Sequence, residues 1–200
     1  MPLYMDVHNM QGATTVQVDQ AHAADLEEQA KYGVEYLKYW FNESRGKAFC
    51  LVDAPSPEAA LLVHREAHGQ MAERIIEVQP ELVEAFLGGS ETGPSGAALL
   101  PGAVNERDPA IRTVLFTDIV GSTDEALGDD AGMALLSVHD RIVRDALAAA
   151  DCREVKHTGD RIMASFVSAA AAVRCAVGVA RALAKHQESL WTLSSASSEM

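Results

Sequence analysis

The sequence predicts an α+β protein made of two αβ sandwiches in tandem, the second of them truncated. Three observations lead to this prediction. Apolar residues alternate in some stretches, as in strands, and recur at helical spacing in others. The first half orders these stretches as βαββαβ, which is the order of the ferredoxin-like fold. A stretch rich in Gly, Ser and Pro, residues 87–110, then separates the two halves and is interpreted as a flexible linker.

The first predicted domain covers residues 1–86, and each of its elements has its own signal. Its four strand patterns are "LYMDVHNM", "VEYLKYWFN", "GKAFCLVDA" and "RIIEV". The first helix, "VDQAHAADLEEQAKYG", ends at Gly33, and the second begins with Ser56 as N-cap and Pro57 in its first turn. A four-stranded sheet with both helices on one face leaves the other face bare. Because roughly 80 residues make a thin core, we expect a homodimer through this domain.

The second predicted domain covers residues 111–187. Its strand "IRTVLFTDI" is followed by the helical pattern "GDDAGMALLSVHDRIVRDALAAAD", by a hairpin around "TGD" and by an Ala-rich helix. A complete sandwich needs further strands, and the Ser-rich residues 188–200 are predicted to be an unstructured tail. The second sandwich is therefore expected to be truncated.

Composition excludes several classes of protein. The 200 residues carry a formal net charge of −13, which disfavours nucleic acid as a partner. Cys50, Cys152 and Cys175 are few and scattered, as expected for free thiols in a reducing compartment. The N-terminus does not resemble a signal peptide, and no stretch resembles a membrane span, so a cytoplasmic location away from membranes is predicted.

Two aspartates in the second half are candidate metal ligands. Asp118 ends the apolar strand "TVLFTD", and Asp160 lies in the hairpin turn. If the hairpin pairs beside that strand, both carboxylates reach one edge of the sheet, where they could hold Mg²⁺ or Mn²⁺. The backbone amides of Gly121, Ser122 and Thr123 would then cradle phosphates. Alternatively, the first aspartate caps a helix and the second one makes a turn.

The motifs "VLFTDIVGST" and "EVKHTGDRIMASF" resemble the first half of the catalytic domain of class III adenylate/guanylate cyclases, from about Arg112 to His186. The resemblance implies that Asp118 and Asp160 bind two metal ions, with Ile119 lending a backbone carbonyl. It also implies that Lys156 reads adenine, so that ATP is converted to cyclic AMP and pyrophosphate at sites shared between two protomers.

The chain departs from that family in two ways. Arg161 stands where the family has a small residue, so a guanidinium lies beside a metal ligand. The family's transition-state asparagine and arginine have no counterpart after His186, so no catalytic residue beyond the two metal aspartates is assigned. We therefore expect cyclase activity to be absent or strongly impaired in this chain alone.

Histidines mark the first half. "HREAH" places His64 and His68 four residues apart on a helix, and His8 or Cys50 on strands could complete a set of ligands for Ni²⁺ or Zn²⁺. The alternative is that these are ordinary surface or packed residues. The stretches "MDVHN", "KAFCLVDAPS" and "VHREAHG" resemble a small bacterial family of ferredoxin-like proteins with a nickel-binding member, over about residues 1–80. That resemblance implies a dimeric sandwich and supports metal binding.

Three interpretations of function remain open at this point. The first is a cyclic-nucleotide signalling protein of the class III cyclase family. The second is a metal- or ligand-binding regulatory module with a remnant cyclase domain. The third is a regulatory subunit that lends Asp118, Asp160 and Lys156 to a complete cyclase protomer.

Overall fold

Two antiparallel sheets organise the chain in a computed structural model, which describes residues 1–88, 91–119, 129–150 and 152–197. The chain divides into two compact units, Met1–Ile111 and Arg112–Met200. The protein is therefore a mixed α+β protein, as the sequence predicts.

The described residues of the first unit contain four strands and two helices in the predicted order, then a third helix and residues 91–110. In chain order these elements are β1 (Leu3–Asn9), α1 (Thr15–Glu28), β2 (Glu35–Asn42), β3 (Lys47–Asp53), α2 (Pro57–Ala67), β4 (Arg74–Glu77) and α3 (Pro80–Leu87). The strands lie in the order β2-β3-β1-β4, and every pair is antiparallel. This order is consistent with a ferredoxin-like fold.

Side chains at the N-termini of α1 and α2 accept hydrogen bonds from backbone amides that have no partner within the helix. Thr14 forms a capping box with Gln17 before α1. Ser56 accepts a hydrogen bond from the Ala59 amide before α2, and Pro57 occupies the first turn, as the sequence predicts. Both helices pack on one face of the sheet, where Val18, Tyr36, Tyr39, Val52 and Val63 are among the buried residues.

The opposite face of the sheet is covered by the chain itself, although the sequence predicted it to be bare. Trp40 of β2 and Leu51 of β3 are buried there together with Ala98. Val83 and Leu87 of α3 pack against the same cluster. The apolar surface on which the homodimer prediction relied is therefore largely occupied.

We call residues 91–110 the strap, because they run along β2 and cover this sheet. The Ala98 amide donates to the carbonyl of Tyr39 at 2.7 Å, and the Tyr39 amide donates to the carbonyl of Gly96 at 3.1 Å. Ala97, Ala98 and Leu99 are buried. The sequence suggested a flexible linker here because the stretch has neither helical nor strand periodicity. Its contacts are instead made with distant elements, which local patterns do not reveal.

The second unit contains β5 (Thr113–Thr117), α4 (Asp129–Ala149), β6 (Arg153–Thr158), β7 (Arg161–Phe166) and α5 (Ala169–Ser197). The strands form a sheet in the order β5-β7-β6 with antiparallel pairs. Buried residues of α4, α5 and β7 make its core. The helix α5 runs past residue 188, where the sequence predicted an unstructured tail. A second ferredoxin-like sandwich in tandem stays a prediction.

Within the described residues, no helix combines the length and the apolar character that crossing a membrane requires.

Candidate metal centre

A buried histidine lies between two buried carboxylates in the layer between sheet and helices of the first unit. His64 of α2 places its Nε2 atom 2.9 Å from Oδ2 of Asp6 on β1. Its Nδ1 atom lies 3.0 Å from Oδ1 of Asp25 on α1. The side chains of His64 and Asp6 are 1% and 0% exposed. Three separate elements are therefore joined through one imidazole ring.

Tyr36 and His68 extend this network at its two ends. The Tyr36 hydroxyl lies 3.0 Å from Nε2 of His64 and 3.3 Å from Oδ2 of Asp6. Nε2 of His68, just after the end of α2, lies 3.1 Å from Oδ1 of Asp25. Polar groups of this kind need partners when they are buried, and most atoms of the network have one.

Three buried atoms beside the network have no hydrogen-bond partner among the described residues: Nε2 of His8, Oδ1 of Asp6 and Nδ1 of His22. The His8 ring stands edge-on to the His64 ring, with centroids 4.6 Å apart. An unpartnered buried polar atom costs about 1–3 kcal/mol. Several such atoms in one place therefore indicate a binding site for an ion or a small ligand.

The environment shifts the pKa values of these groups in opposite directions. Burial lowers the pKa of His8 to about 3, with a further contribution from the nearby His64. Burial also disfavours the charged form of His64, but its hydrogen bonds to Asp25 and Asp6 outweigh this effect and raise its pKa to about 9. Burial raises the pKa of Asp6. His64 is therefore the cation of the network, and His8 is neutral.

A small cavity of about 20 Å³ lies against this cluster. This is room for about one water-sized body. The residues that line it are His8, Met10, Val18, Ala21, His22, Asp25, Tyr39, Ala48, Cys50, His64, His68 and Gln70. The four metal ligands predicted from sequence, His8, Cys50, His64 and His68, are all among them.

Two groups of ligand atoms, each within 4.8 Å of one another, meet at His64. The first group is Asp6, His8 and His64, and the second is Asp25, His64 and His68. Cys50 lies opposite Asp6 in the strand register but belongs to neither group among the described residues.

Asp6, Asp25 and His22 also lie at this site but are not among the ligands predicted from sequence. A signal was present for each of them. Asp6 is two residues from His8, so both side chains point to the same face of a strand. Asp25 is three residues from His22, so both lie on one face of α1.

The second unit brings part of its predicted metal site to one edge of the sheet. Thr117 pairs with Ile162, so that the following Asp118 lies beside the start of β7. Nε of Arg161 lies 3.2 Å from Oδ1 of Asp118, with both side chains more than half exposed. Asp160 precedes Arg161 in the hairpin turn, and Ile119 follows Asp118.

The remaining predicted residues of this site are placed differently. Lys156 is an exposed residue of β6 and pairs with Met163. Gly121, Ser122 and Thr123, predicted to cradle phosphates, lie outside the described residues.

Comparison with known proteins identifies relatives of the first unit. A family model described as nickel responsive protein SCO4226-like matches residues 4–78. The crystal structure of SCO4226 from Streptomyces coelicolor A3(2) shares 40% sequence identity with this chain, at a TM-score of 0.37. The match covers 38% of this chain and 94% of that chain. A search of curated proteins returned no significant match.

Two structures of a bacterial light-regulated adenylyl cyclase also match, each with 12% identity. Their TM-scores are 0.33 and 0.36, and the matches cover 90% and 94% of this chain and 64% and 67% of those chains. These likenesses are too weak to support a conclusion about the fold or the activity of this chain. The family model is named after SCO4226, the relative that shares 40% identity with this chain. Through residues 4–78, this chain belongs to the nickel-responsive SCO4226-like family.

Proposed function

We propose that the first unit binds a late transition-metal ion, nickel by preference, through Asp6, His8 and His64, with Asp25 holding the ring of His64. The observation that carries the proposal is the pair of unpartnered buried atoms, Nε2 of His8 and Oδ1 of Asp6, beside Nε2 of His64. Imidazole nitrogen suits Ni²⁺, Zn²⁺ and Cu²⁺. Membership of a family described as nickel responsive supports nickel among them.

The geometry favours this group of ligands over the second one. In the second group, Oδ1 of Asp25 already contacts both His64 and His68. In the first group, Nε2 of His8 and Oδ1 of Asp6 have no hydrogen-bond partner among the described residues. A histidine that ligates a metal almost always donates its other ring N–H to a carboxylate. Asp25 accepts such a hydrogen bond from Nδ1 of His64, so that an ion at Nε2 would replace the contacts that this atom makes with Asp6 and Tyr36.

Charge supports the same site. Asp6 and Asp25 together carry two negative charges when ionised, and the single imidazolium of His64 neutralises one of them. A divalent cation supplies the positive charge that offsets the buried carboxylates, and no further proton has to be taken up. Its entry displaces the proton on Nε2 of His64, because a ligating nitrogen must be unprotonated. We expect proton release on binding.

The test is isothermal titration of Ni²⁺ and Zn²⁺ into the intact, metal-free chain. His8→Ala is the most informative variant, because Nε2 of His8 takes no part in the hydrogen-bond network that holds the sheet and helices together. We expect at least a tenfold loss of Ni²⁺ affinity, by analogy with the roughly 10- to 100-fold effects of losing groups that support a metal site. His157→Ala, on an exposed part of β6, is the matched control and should bind as the unaltered chain does.

An unchanged Ni²⁺ affinity in His8→Ala would refute the ligand assignment. Stronger binding of Zn²⁺ than of Ni²⁺ would refute the preference for nickel while leaving the site in place.

A second proposal concerns the other unit: it binds a nucleotide through metal at Asp118 and Asp160, as the class III cyclase motifs suggest. The supporting observation is the strand register, which brings Asp118 beside the β6–β7 turn that carries Asp160. On this proposal the protein joins a metal-responsive unit to a cyclase-like unit. Titration of Mn²⁺–ATP and an assay for cyclic AMP test it, with Asp118→Asn as the variant. Binding that Asp118→Asn leaves unchanged would contradict it.

A further inference from the structure

The strap is fastened to the first unit by one arginine. Arg107 donates from Nη1 and Nη2 to the two carboxylate oxygens of Asp19 on α1, each at 2.7 Å. Its Nη1 also donates to the Tyr39 hydroxyl at 3.0 Å. Paired arginine–carboxylate hydrogen bonds of this kind are among the strong ones in proteins. Arg107 is 88 residues from Asp19 in sequence, and its hydrogen bonds tie the strap to both α1 and β2.

Tyr39 belongs both to this fastening and to the histidine cavity. Its side chain is completely buried and lines the cavity. Its hydroxyl hydrogen-bonds to Asp19, and its ring lies 4.7 Å from the ring of His22. Its backbone makes the two hydrogen bonds that align the strap with β2. A movement of Tyr39 would therefore change both the attachment of the strap and the wall of the cavity.

His22 makes the second connection. Gly96 of the strap packs so closely on His22 that a methyl group there would lie 2.5 Å from Nε2 of that ring. The other ring nitrogen of His22, Nδ1, is buried without a hydrogen-bond partner among the described residues. The imidazole ring is thus held from outside by the strap, while it lines the cavity on its inner side.

We propose that the strap braces two residues of the cavity wall, Tyr39 and His22, and that docking of the strap and binding of an ion stabilise each other. This inference rests on the proposed metal site and adds its regulation. A docked strap holds the Tyr39 and His22 side chains in place in the wall, which slows the escape of an ion. Linkage is reciprocal, so an ion in the cavity must hold the strap in its docked position by the same factor. The family model ends at residue 78, before the strap begins, so the strap is an addition to the matched region.

Amide hydrogen exchange of the intact chain, measured with and without Ni²⁺, tests this coupling directly. The amides of Tyr39 and Ala98 report docking of the strap, because each donates across the strap–β2 contact. We expect Ni²⁺ to slow their exchange by roughly fivefold or more, the lower end of usual coupling between sites. We expect Arg107→Ala to speed that exchange and to weaken Ni²⁺ binding by a similar factor, mainly through faster dissociation.

Arg65→Ala is the matched control, since Arg65 is an exposed arginine of α2 whose ion pair, among the described residues, is with its neighbour Glu66. Arg107→Lys keeps the charge and loses the paired geometry, so it covers the case in which the alanine variant does not fold. Faster exchange at Ala98 in an Arg107 variant with unchanged Ni²⁺ affinity and dissociation rate would overturn the coupling between strap and cavity and leave the metal site standing. A complete lack of Ni²⁺ binding by the intact chain would overturn both.

Discussion

His64 and Asp25 join the two helices that cover the sheet of the first unit. Nδ1 of His64 on α2 donates to Oδ1 of Asp25 on α1 across 3.0 Å, and both side chains are buried. The contact fixes which way the imidazole ring faces, because Asp25 binds its Nδ1 atom while Asp6 lies at its Nε2 atom. Nε2 is thereby directed at Asp6 and His8.

Asp25→Asn is expected to lower Ni²⁺ affinity by roughly 10- to 100-fold, as losses of such orienting groups do. The amide carries no charge and holds the imidazole less firmly, although its size is the same. Titration calorimetry of the intact chain measures the effect. Glu27→Gln, an exposed position on the same helix, is the control. Equal affinities of Asp25→Asn and the unaltered chain would show that Asp25 has no part in the site.

Stability of the metal-free chain should be greatest near neutral pH. His8 has a folded-state pKa of about 3, below the usual 6.5, so its contribution is present above 6.5 and is lost as the pH falls. His64 has a folded-state pKa of about 9, so its contribution is present below 6.5 and is lost as the pH rises through 9. The alkaline loss is on the order of 1–3 kcal/mol.

Urea unfolding between pH 5 and 10 checks this profile, with fluorescence of the buried Trp40 as the signal and Trp191→Phe as the background. In the His64→Gln variant, the free energy of unfolding should no longer fall at alkaline pH but should still fall at acid pH. A free energy of unfolding that stays constant between pH 7 and 10 would contradict the assigned role of His64.

Cys50 should stay outside the set of metal ligands. Its sulfur belongs to neither close group of ligand atoms among the described residues, and burial raises the pKa of the thiol. Thiolate is the form that binds metal, so a raised pKa opposes ligation. The Co²⁺-loaded chain is expected to lack an intense near-ultraviolet band from thiolate-to-metal charge transfer. Such a band, disappearing in Cys50→Ser, would restore Cys50 as a ligand.

Arg161→Ala should strengthen binding of Mn²⁺ in the second unit. The guanidinium contacts Asp118 at 3.2 Å and competes with a cation for that carboxylate. Because exposed ion pairs are worth about 0–1 kcal/mol, the expected gain is roughly fivefold or less. Mn²⁺ titration followed by electron paramagnetic resonance measures it, with Arg174→Ala on the exposed side of α5 as control. Weaker binding in Arg161→Ala would mean that the arginine supports the site.

The homodimer through the first unit stays a prediction, and its surface has to be sought elsewhere than on the covered sheet face. Ile76 on the edge strand β4 is 46% exposed, and edge strands readily pair with one another. We expect Ile76→Lys to shift the intact chain towards monomer in sedimentation velocity. The variant Leu37→Lys, on β2, where the strap already pairs with the strand, should leave the distribution unchanged. A monomer at all concentrations would refute the dimer.

Short-range patterns alone determined much of this protein. Alternation, capping residues and the βαββαβ order were enough to predict β1–β4, the two helices on one face and a four-stranded sheet, because each signal lies within a few residues of the element it specifies. The spacing in "HREAH" was likewise enough to direct attention to His64 and His68. The apolar run before Asp118 predicted a strand that ends in a carboxylate.

Only the tertiary structure decided which groups meet. Asp6, Asp25 and His64 are separated by up to 58 residues, and strand pairing and helix docking bring them together. The strap is the clearest case, since a stretch rich in Gly and Pro has no periodicity to indicate burial. Its place is fixed by Arg107 on Asp19 and by backbone hydrogen bonds to Tyr39, which are contacts between parts of the chain far apart in sequence.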